Sequence, residues 1–269
     1  MQDVRTGPDY HPSRGTAFAI HLILSLLVFS TLVAAMLVYW FPGKLFLMDG
    51  GWQGLKLVAM VDLVLGPALT LILYKPGKKN LKFDLCAIAV IQVLALGYGF
   101  YTTYNQRTVA VVFADNEFAT VSAQDNKQAN ALLIEREIQP KPLPAVKPFQ
   151  IPVLMTPAPE NFGEYFAQLM NGFPAGHERS DQYVEIAADR DTMTAHIRDA
   201  DTLAQLGALT TIENALEKKG TTLDKVEVYD FRARFADGFV LFDPDSATIV
   251  GYVSFSPSDN DQSVAENES

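Results

Sequence analysis

Three long apolar runs dominate the first 104 residues of this 269-residue chain, at residues 16–41, 57–74 and 85–104. Each run approaches or exceeds the ~20 residues that a helix needs to cross a hydrocarbon layer of about 30 Å. The middle run is the shortest, and it alone contains a formally charged residue, Asp62. The pattern predicts three transmembrane helices. The first run is much longer than the apolar part of a signal peptide, so a retained helix is favoured over a cleaved one.

Basic residues predict how these helices are oriented. The loop between the second and third runs contains Lys75, Lys78, Lys79 and Lys82, whereas the first loop contains only Lys44 and Lys56, opposed by Asp49. Because loops rich in Lys and Arg stay in the cytoplasm, the N-terminus and the second loop are expected inside. The expected organisation is a cytoplasmic segment at 1–15, a three-helix anchor at 16–104, an outer domain at 105–256 and an acidic, disordered tail at 257–269.

Charge and cysteine content exclude several classes of function for the outer domain. Residues 1–104 contain eight of the 21 Lys and Arg residues and five of the 31 Asp and Glu residues. The other 13 basic and 26 acidic residues lie in residues 105–269, which therefore have a net charge of −13. Nucleic acids and anionic lipids bind clustered Lys and Arg, so neither is an expected partner. The single cysteine, Cys86, falls in the third run, so the outer domain has neither a disulfide nor a cysteine-based metal site. We expect no cofactor and no metal.

The outer domain alternates strand-like and helix-like patterns, which predicts an α+β fold with strands near both ends. A hairpin is expected at 109–122 with its turn at Asp115-Asn116, and a proline-rich extended crossing at 139–153. Helices are expected at 124–136, after an Asn161 cap, and at 202–219 between an Asp201 cap and Gly220. Further strands are expected at 226–232, 238–242 and 248–255, the last two joined by an Asp243-Pro244-Asp245-Ser246 turn.

Asp62 is the most informative single residue, because a carboxylate inside the bilayer costs a few kcal/mol unless it is neutralised or hydrogen-bonded. It precedes Gly66-Pro67, where the missing proline amide predicts a kink. Tyr98 on the third helix lies at a similar depth, whereas His21 is expected near the inner face, out of reach of Asp62. Two interpretations remain open: a polar notch that receives another membrane helix or relays a proton or ion, and an internal contact of Asp62 with Tyr98 or the backbone.

Catalytic motifs are lacking in the outer domain. The segment 176–181 (Gly-His-Glu-Arg-Ser-Asp) has catalytic residue types, but each of them also suits a solvated loop. Neither HExxH, GxSxG, a phosphate-binding loop nor a dinucleotide-binding glycine pattern occurs. We therefore expect no enzymatic activity.

Several segments together resemble the type IV pilin accessory proteins, the TfpX/TfpZ family. The most specific is the D-x-x-L-G-P-x-L-T pattern from Asp62 to Thr70, and the similarity is strongest over residues 16–125. One departure is Arg107-Thr108, where members of that family often have Arg-Pro. The other matching segments are Trp40-Phe41-Pro42-Gly43, the loop 75–79, the stretch 105–113 and the stretch 238–244.

The resemblance implies a multi-pass inner-membrane protein of a Gram-negative bacterium with a periplasmic C-terminal domain. It implies a type IV pilus biogenesis factor that binds the major pilin as a pilin-specific assembly or stability chaperone, with inner-membrane pilus assembly components as further partners. We expect the helices to contact the apolar stem of the pilin through Asp62, Gly66, Pro67, Tyr98 and His21. The alternative is a membrane-anchored periplasmic sensor that signals through a partner protein.

Overall fold

The computed structural model describes residues 13–75 and 79–255. The predicted tail at 257–269 and most of the predicted cytoplasmic segment lie outside these residues. The described residues form two compact units, one within Met1–Ala35 and Trp52–Thr103, the other within Met36–Gly51 and Tyr104–Ser269. The first loop, residues 36–51, is therefore part of the sheet-containing unit, although the predicted boundaries placed it in the anchor.

Three helices are long and apolar enough to cross a membrane, as predicted: Arg14–Trp40, Gly51–Leu73 and Leu81–Asn105. Many of their large apolar side chains are exposed, among them Leu27, Ile72 and Val93, which suits contact with lipid and suggests a membrane protein. Two of the helices contain π-helical turns, Met36–Trp40 and Met60–Leu65. The α-helical segments in this part of the chain are α1 (Arg14–Ala35), α2 (Leu45–Met48), α3 (Gly51–Ala59), α4 (Gly66–Leu73) and α5 (Leu81–Asn105).

The second unit contains one mixed sheet of seven strands in the order β4-β3-β1-β2-β5-β6-β7. The β1–β3 and β2–β5 pairs are parallel and the other neighbouring pairs are antiparallel. The strands are β1 (Thr108–Ala114), β2 (Glu117–Ser122), β3 (Val153–Met155), β4 (Val184–Glu185), β5 (Glu227–Arg232), β6 (Asp237–Asp243) and β7 (Thr248–Ser254). The helices are α6 (Ala123–Glu135), α7 (Phe162–Met170), α8 (Arg190–Thr194), α9 (Ala200–Gln205) and α10 (Leu209–Glu217).

Turn and cap residues fix several elements where the sequence predicts them. Asp115 and Asn116 have φ angles of 53° and 72° between β1 and β2, which the short Asp and Asn side chains tolerate. Asn161 caps α7, since its Oδ1 accepts hydrogen bonds from the amides of Gly163 and Glu164. Asp243 accepts from the amide of Asp245 in the last hairpin turn. These local signals place both predicted hairpins correctly.

The predicted helix at 202–219 is wrong as a single element, because Gly207 adopts φ +73° and divides it into α9 and α10. The cap is also different: the Asp199 carboxylate, rather than that of Asp201, accepts from the amide of Thr202 at 2.8 Å. Strands β3 and β4 were not predicted, since they have only three and two residues and β3 directly follows the proline-rich crossing.

The core of this unit lies against the sheet. Phe113, Phe118, Tyr229 and Phe242 are all at most 2% exposed, and their rings contact one another with centroids 5.2 to 6.1 Å apart. A second cluster packs Leu203 of α9 and Ile212 and Leu216 of α10 against the strands. This packing places α10 beside β7, the last strand of the sheet.

Candidate functional site: a polar cluster between the apolar helices

A polar cluster lies halfway along the three apolar helices. Ser25, Asp62 and Gln92 are each the twelfth residue of their spans, which start at Arg14, Gly51 and Leu81. The second apolar run of the sequence begins at Leu57, and a helix that began there would place Asp62 near one of its ends. The helix starts six residues earlier, at Gly51, so Asp62 lies at mid-span, where a carboxylate costs the most.

A wide helical turn presents Asp62. In the π-helical turn Met60–Leu65, the amide of Gly66 donates to the carbonyl of Val61, five residues back. Pro67, in the first turn of α4, has no amide to donate. The break predicted at Gly66-Pro67 thus takes the form of a π turn, a feature that often marks functional sites in helices.

The Asp62 carboxylate is only half satisfied. Its Oδ1 accepts from Ser25 Oγ at 3.2 Å and from Gln92 Nε2 at 3.5 Å. Its Oδ2 is buried and has no hydrogen-bond partner within the described residues. A buried acceptor without a donor is costly, so this oxygen is the position where a donor from another molecule would gain most.

His21, Thr70 and Gly66 form the neighbouring part of the cluster. The Thr70 hydroxyl donates to the Gly66 carbonyl at 3.1 Å, a hydrogen bond within its own helix. His21 Nδ1 lies 2.6 Å from the same hydroxyl oxygen. The two side chains therefore share a hydrogen bond, and the tautomer of His21 decides which of them donates.

Gly66 leaves little space between its own helix and the other two. A Cβ at position 66 would come 1.8 Å from Gln92 Nε2 and 3.1 Å from His21 Nε2. The helices also touch where a Cβ at Gly54 would come 2.6 Å from Thr103 Oγ1. Small residues permit such contacts between membrane helices.

Four of the five predicted contact residues lie together: Asp62, Gly66, Pro67 and His21 belong to this cluster or border it. Tyr98 does not, because it is 67% exposed and the Oδ1 donors are Ser25 and Gln92. Contact with Tyr98, one of the alternatives that the sequence left open for Asp62, is therefore not formed. Gln92 was not predicted as a partner of Asp62, although it is the one amide side chain in residues 85–104.

The chemistry of the cluster is hydrogen bonding. It offers one carboxylate, one imidazole, two hydroxyls and one amide. Within residues 13–75 and 79–255, no group of three or more His, Cys, Asp or Glu side chains is arranged to hold a metal ion. The cluster is suited to recognising a polar group on a partner helix.

The segment 176–181 is packed rather than solvated, which corrects the prediction. Ser180 is fully buried and Arg179 is 6% exposed. Arg179 makes two hydrogen bonds of 2.9 Å to Asp181. Burial lowers the pKa of His177, and burial together with a hydrogen bond to Asp115 raises the pKa of Tyr165 to about 12. These contacts hold the domain together and form no nucleophile–base pair.

Asp49 joins the first loop to the sheet inside the second unit. The carboxylate is fully buried and accepts from the hydroxyls of Thr108 and Thr120 and from the amide of Arg234. Burial raises its pKa, although these three donors oppose the shift. The loop that precedes the second apolar helix is thus anchored on the sheet.

Three curated proteins of Dichelobacter nodosus are similar to this chain. The fimbrial assembly protein of serogroups C1 and C2 is 35% identical over 108 residues, which are 39% of this chain and 82% of that protein. The fimbrial assembly proteins of serogroups I and E1 are 35% and 34% identical over 108 residues, but the match spans only 42% of each. No family model and no solved structure matches the chain. Because the match to the protein of serogroups C1 and C2 spans most of that relative, the chain belongs to the family of fimbrial assembly proteins.

Proposed function

We propose that this protein is a type IV pilus biogenesis factor of the TfpX/TfpZ type, which binds the major pilin in the bacterial inner membrane. It acts as a pilin-specific assembly or stability chaperone and catalyses no reaction. The observation that carries the proposal is the similarity to the fimbrial assembly proteins of Dichelobacter nodosus. The D-x-x-L-G-P-x-L-T pattern from Asp62 to Thr70, which resembles the TfpX/TfpZ family, includes three residues of the polar cluster, Asp62, Gly66 and Thr70.

The cluster supports a specific form of pilin binding. A pilin that awaits assembly has an apolar stem in the bilayer, so its partner needs apolar helices with a polar feature that orients the pair. Asp62 Oδ2 is a buried acceptor without a donor among the described residues. In this proposal, the helices around Asp62 move apart to admit a donor from the pilin stem, which completes the hydrogen bonds of Asp62. The exposed apolar side chains of the helices pack against the stem.

The lysine-rich second loop supports the proposed orientation, with the N-terminus in the cytoplasm and the sheet-containing unit in the periplasm. There the second unit lies on the same side of the membrane as the globular head of the pilin. Alkaline phosphatase fused after Phe255 tests this orientation, because the enzyme is active only outside the cytosol. We expect high activity, and a cytosolic fusion would contradict the proposed geometry.

The binding proposal is tested in a strain that lacks this protein but retains its pilin. We expect pilin abundance and surface pili to fall in the deletion strain and to recover with the wild-type chain. Pilin should also co-purify with a tagged chain from detergent-solubilised membranes. Unchanged piliation together with no co-purification would overturn the proposal, and intact pilin binding without any change in piliation would overturn the chaperone role.

A further inference from the structure

A cleft of about 1190 Å³ runs along β7 in the second unit. One wall is β7 itself, including Ile249, Val250 and Tyr252. Phe149 and Ile151, from the crossing that leads into β3, also line the cleft. Helix α10, the two lysines that follow it (Lys218 and Lys219) and Lys44 of the first loop contribute further lining residues. Lining residues thus come from segments far apart in sequence.

The backbone of β7 gives this cleft its chemistry. β7 is the last strand of the sheet, and β6 is its one strand neighbour among the described residues. Its other edge therefore has backbone amides and carbonyls that a further strand can pair with. An added strand offers free backbone groups to such an edge, whereas a helix uses its own internally.

The cleft is lined by positive charges, although the domain as a whole is negative. Residues 105–269 have a net charge of −13, yet Lys44, Lys218 and Lys219 line the cleft, and none of its described lining residues is Asp or Glu. Lys219 lies directly over the strand, since a Cβ at Gly251 would come 2.9 Å from its Cε. Lysines commonly protect edge strands from unspecific pairing. A strand that carries carboxylates would gain from the same lysines.

We propose that this cleft binds an extended segment of a partner protein as an added strand on β7. Apolar side chains of the segment contact Phe149 and Ile249, and its carboxylates face Lys44, Lys218 and Lys219. The inference goes beyond the proposed function, because it specifies the chemistry of the bound segment and does not require that the partner be the pilin.

The test uses the full-length protein in detergent and a fluorescent ten-residue peptide that alternates Val with Glu. Fluorescence anisotropy should show saturable binding. Replacing Glu with Lys in the peptide should weaken binding at least about tenfold, as expected when several ion pairs become repulsive. N-methylation of alternate peptide amides on the pairing edge should also weaken it, because backbone donors are removed.

Matched variants locate the site. The double change Lys218→Glu with Lys219→Glu should weaken the peptide at least about tenfold, whereas Lys127→Glu with Lys225→Glu alters the same charge at exposed positions outside the cleft and should leave binding unchanged. Circular dichroism of each variant checks folding. Equal binding of all peptides, equal effects of the two double variants, or no binding at all would overturn the proposal.

The acidic residues that follow β7 are a competing occupant. Residues 256–269 contain four Asp or Glu and no Lys or Arg. If the peptide binds only after deletion of residues 257–269, the chain's own C-terminal residues occupy the cleft and the partner proposal is overturned. Binding to the full chain, unchanged by the deletion, supports it.

Discussion

Gln92 occupies the space that a side chain at Gly66 would need, since a Cβ at position 66 would come 1.8 Å from Gln92 Nε2. Gly66 has an ordinary helical φ of −61°, so glycine is needed here for space and not for backbone freedom. Gln92 in turn donates to Asp62. The position of Gln92 beside Asp62 therefore depends on the small size of Gly66.

Gly66→Ala should displace Gln92 and remove its hydrogen bond to Asp62. Overpacking of this kind destabilises by about 1–3 kcal/mol, so the thermal midpoint in detergent should fall and less pilin should co-purify. Gly97→Ala is the matched control, because a Cβ at Gly97 meets nothing within 4 Å. If the two variants behave alike, the close contact at Gly66 has no role.

Asp62→Asn should affect the stability of the protein and its binding of the pilin in different ways. Asp62→Asn keeps an oxygen for Ser25 Oγ and introduces a donor where Oδ2 was an unmatched acceptor. Because a neutral side chain at mid-span costs less than a carboxylate, the thermal midpoint should be unchanged or higher. Pilin recovered by co-purification should nevertheless fall at least about fivefold, the loss of one net hydrogen bond. Full pilin recovery with Asp62→Asn would mean that Oδ2 makes no contact with the stem.

Asp49→Ala should destabilise the sheet-containing unit. The change leaves the Thr108 and Thr120 hydroxyls and the Arg234 amide without their shared acceptor. Each unsatisfied buried group costs about 1–3 kcal/mol, so the free energy of unfolding should fall by at least that amount. Chemical denaturation followed by the near-ultraviolet signal measures it. Asp245→Ala, at an exposed turn position, is the control and should change stability by less than about 0.5 kcal/mol.

The pKa of Asp49 also predicts a dependence on pH. Burial raises this pKa above the ordinary value of 3.8, so the folded state binds a proton more tightly than the unfolded state. The free energy of unfolding should therefore fall as pH rises from about 3.8 through the raised pKa, and the Asp49 contribution should be constant above it. Asp49→Asn should lack this contribution. The free energy of unfolding of both proteins is measured from pH 3.5 to 7, and the value for wild type minus that for Asp49→Asn should fall as pH rises. A difference that rises with pH would mean that the pKa of Asp49 is lowered in the fold.

The sequence predicted best what is encoded locally. The three apolar helices, the Asp115-Asn116 turn and the Asn161 cap each follow from adjacent residues. Gly207 shows the limit: its left-handed φ divides a helix whose apolar periodicity continues through it. Periodicity alone does not distinguish one helix from two that pack on the same sheet.

The site was predicted only in part because its geometry depends on where the helices begin. An error of six residues at the start of the second helix moved the predicted depth of Asp62 outward by about 9 Å. At that depth Tyr98 was the nearest candidate partner of Asp62, and neither Ser25 nor Gln92 was predicted to contact it. Likewise, Asp49 is separated by 59 residues from Thr108 and by 185 from Arg234, and nothing local connects them.

Contact between the apolar helices and the pilin stem is tested most directly by site-specific photo-crosslinking in living cells. A photoreactive amino acid is placed at Leu27, Val64 or Val93, which are 62%, 58% and 68% exposed, one near the middle of each span. Ile88, which is 5% exposed, serves as the buried control. We predict that at least one of the three exposed positions crosslinks to the apolar stem of the major pilin and that Ile88 does not. Absence of stem crosslinks from all three positions, in cells where the pilin and this protein are both abundant, would contradict the account.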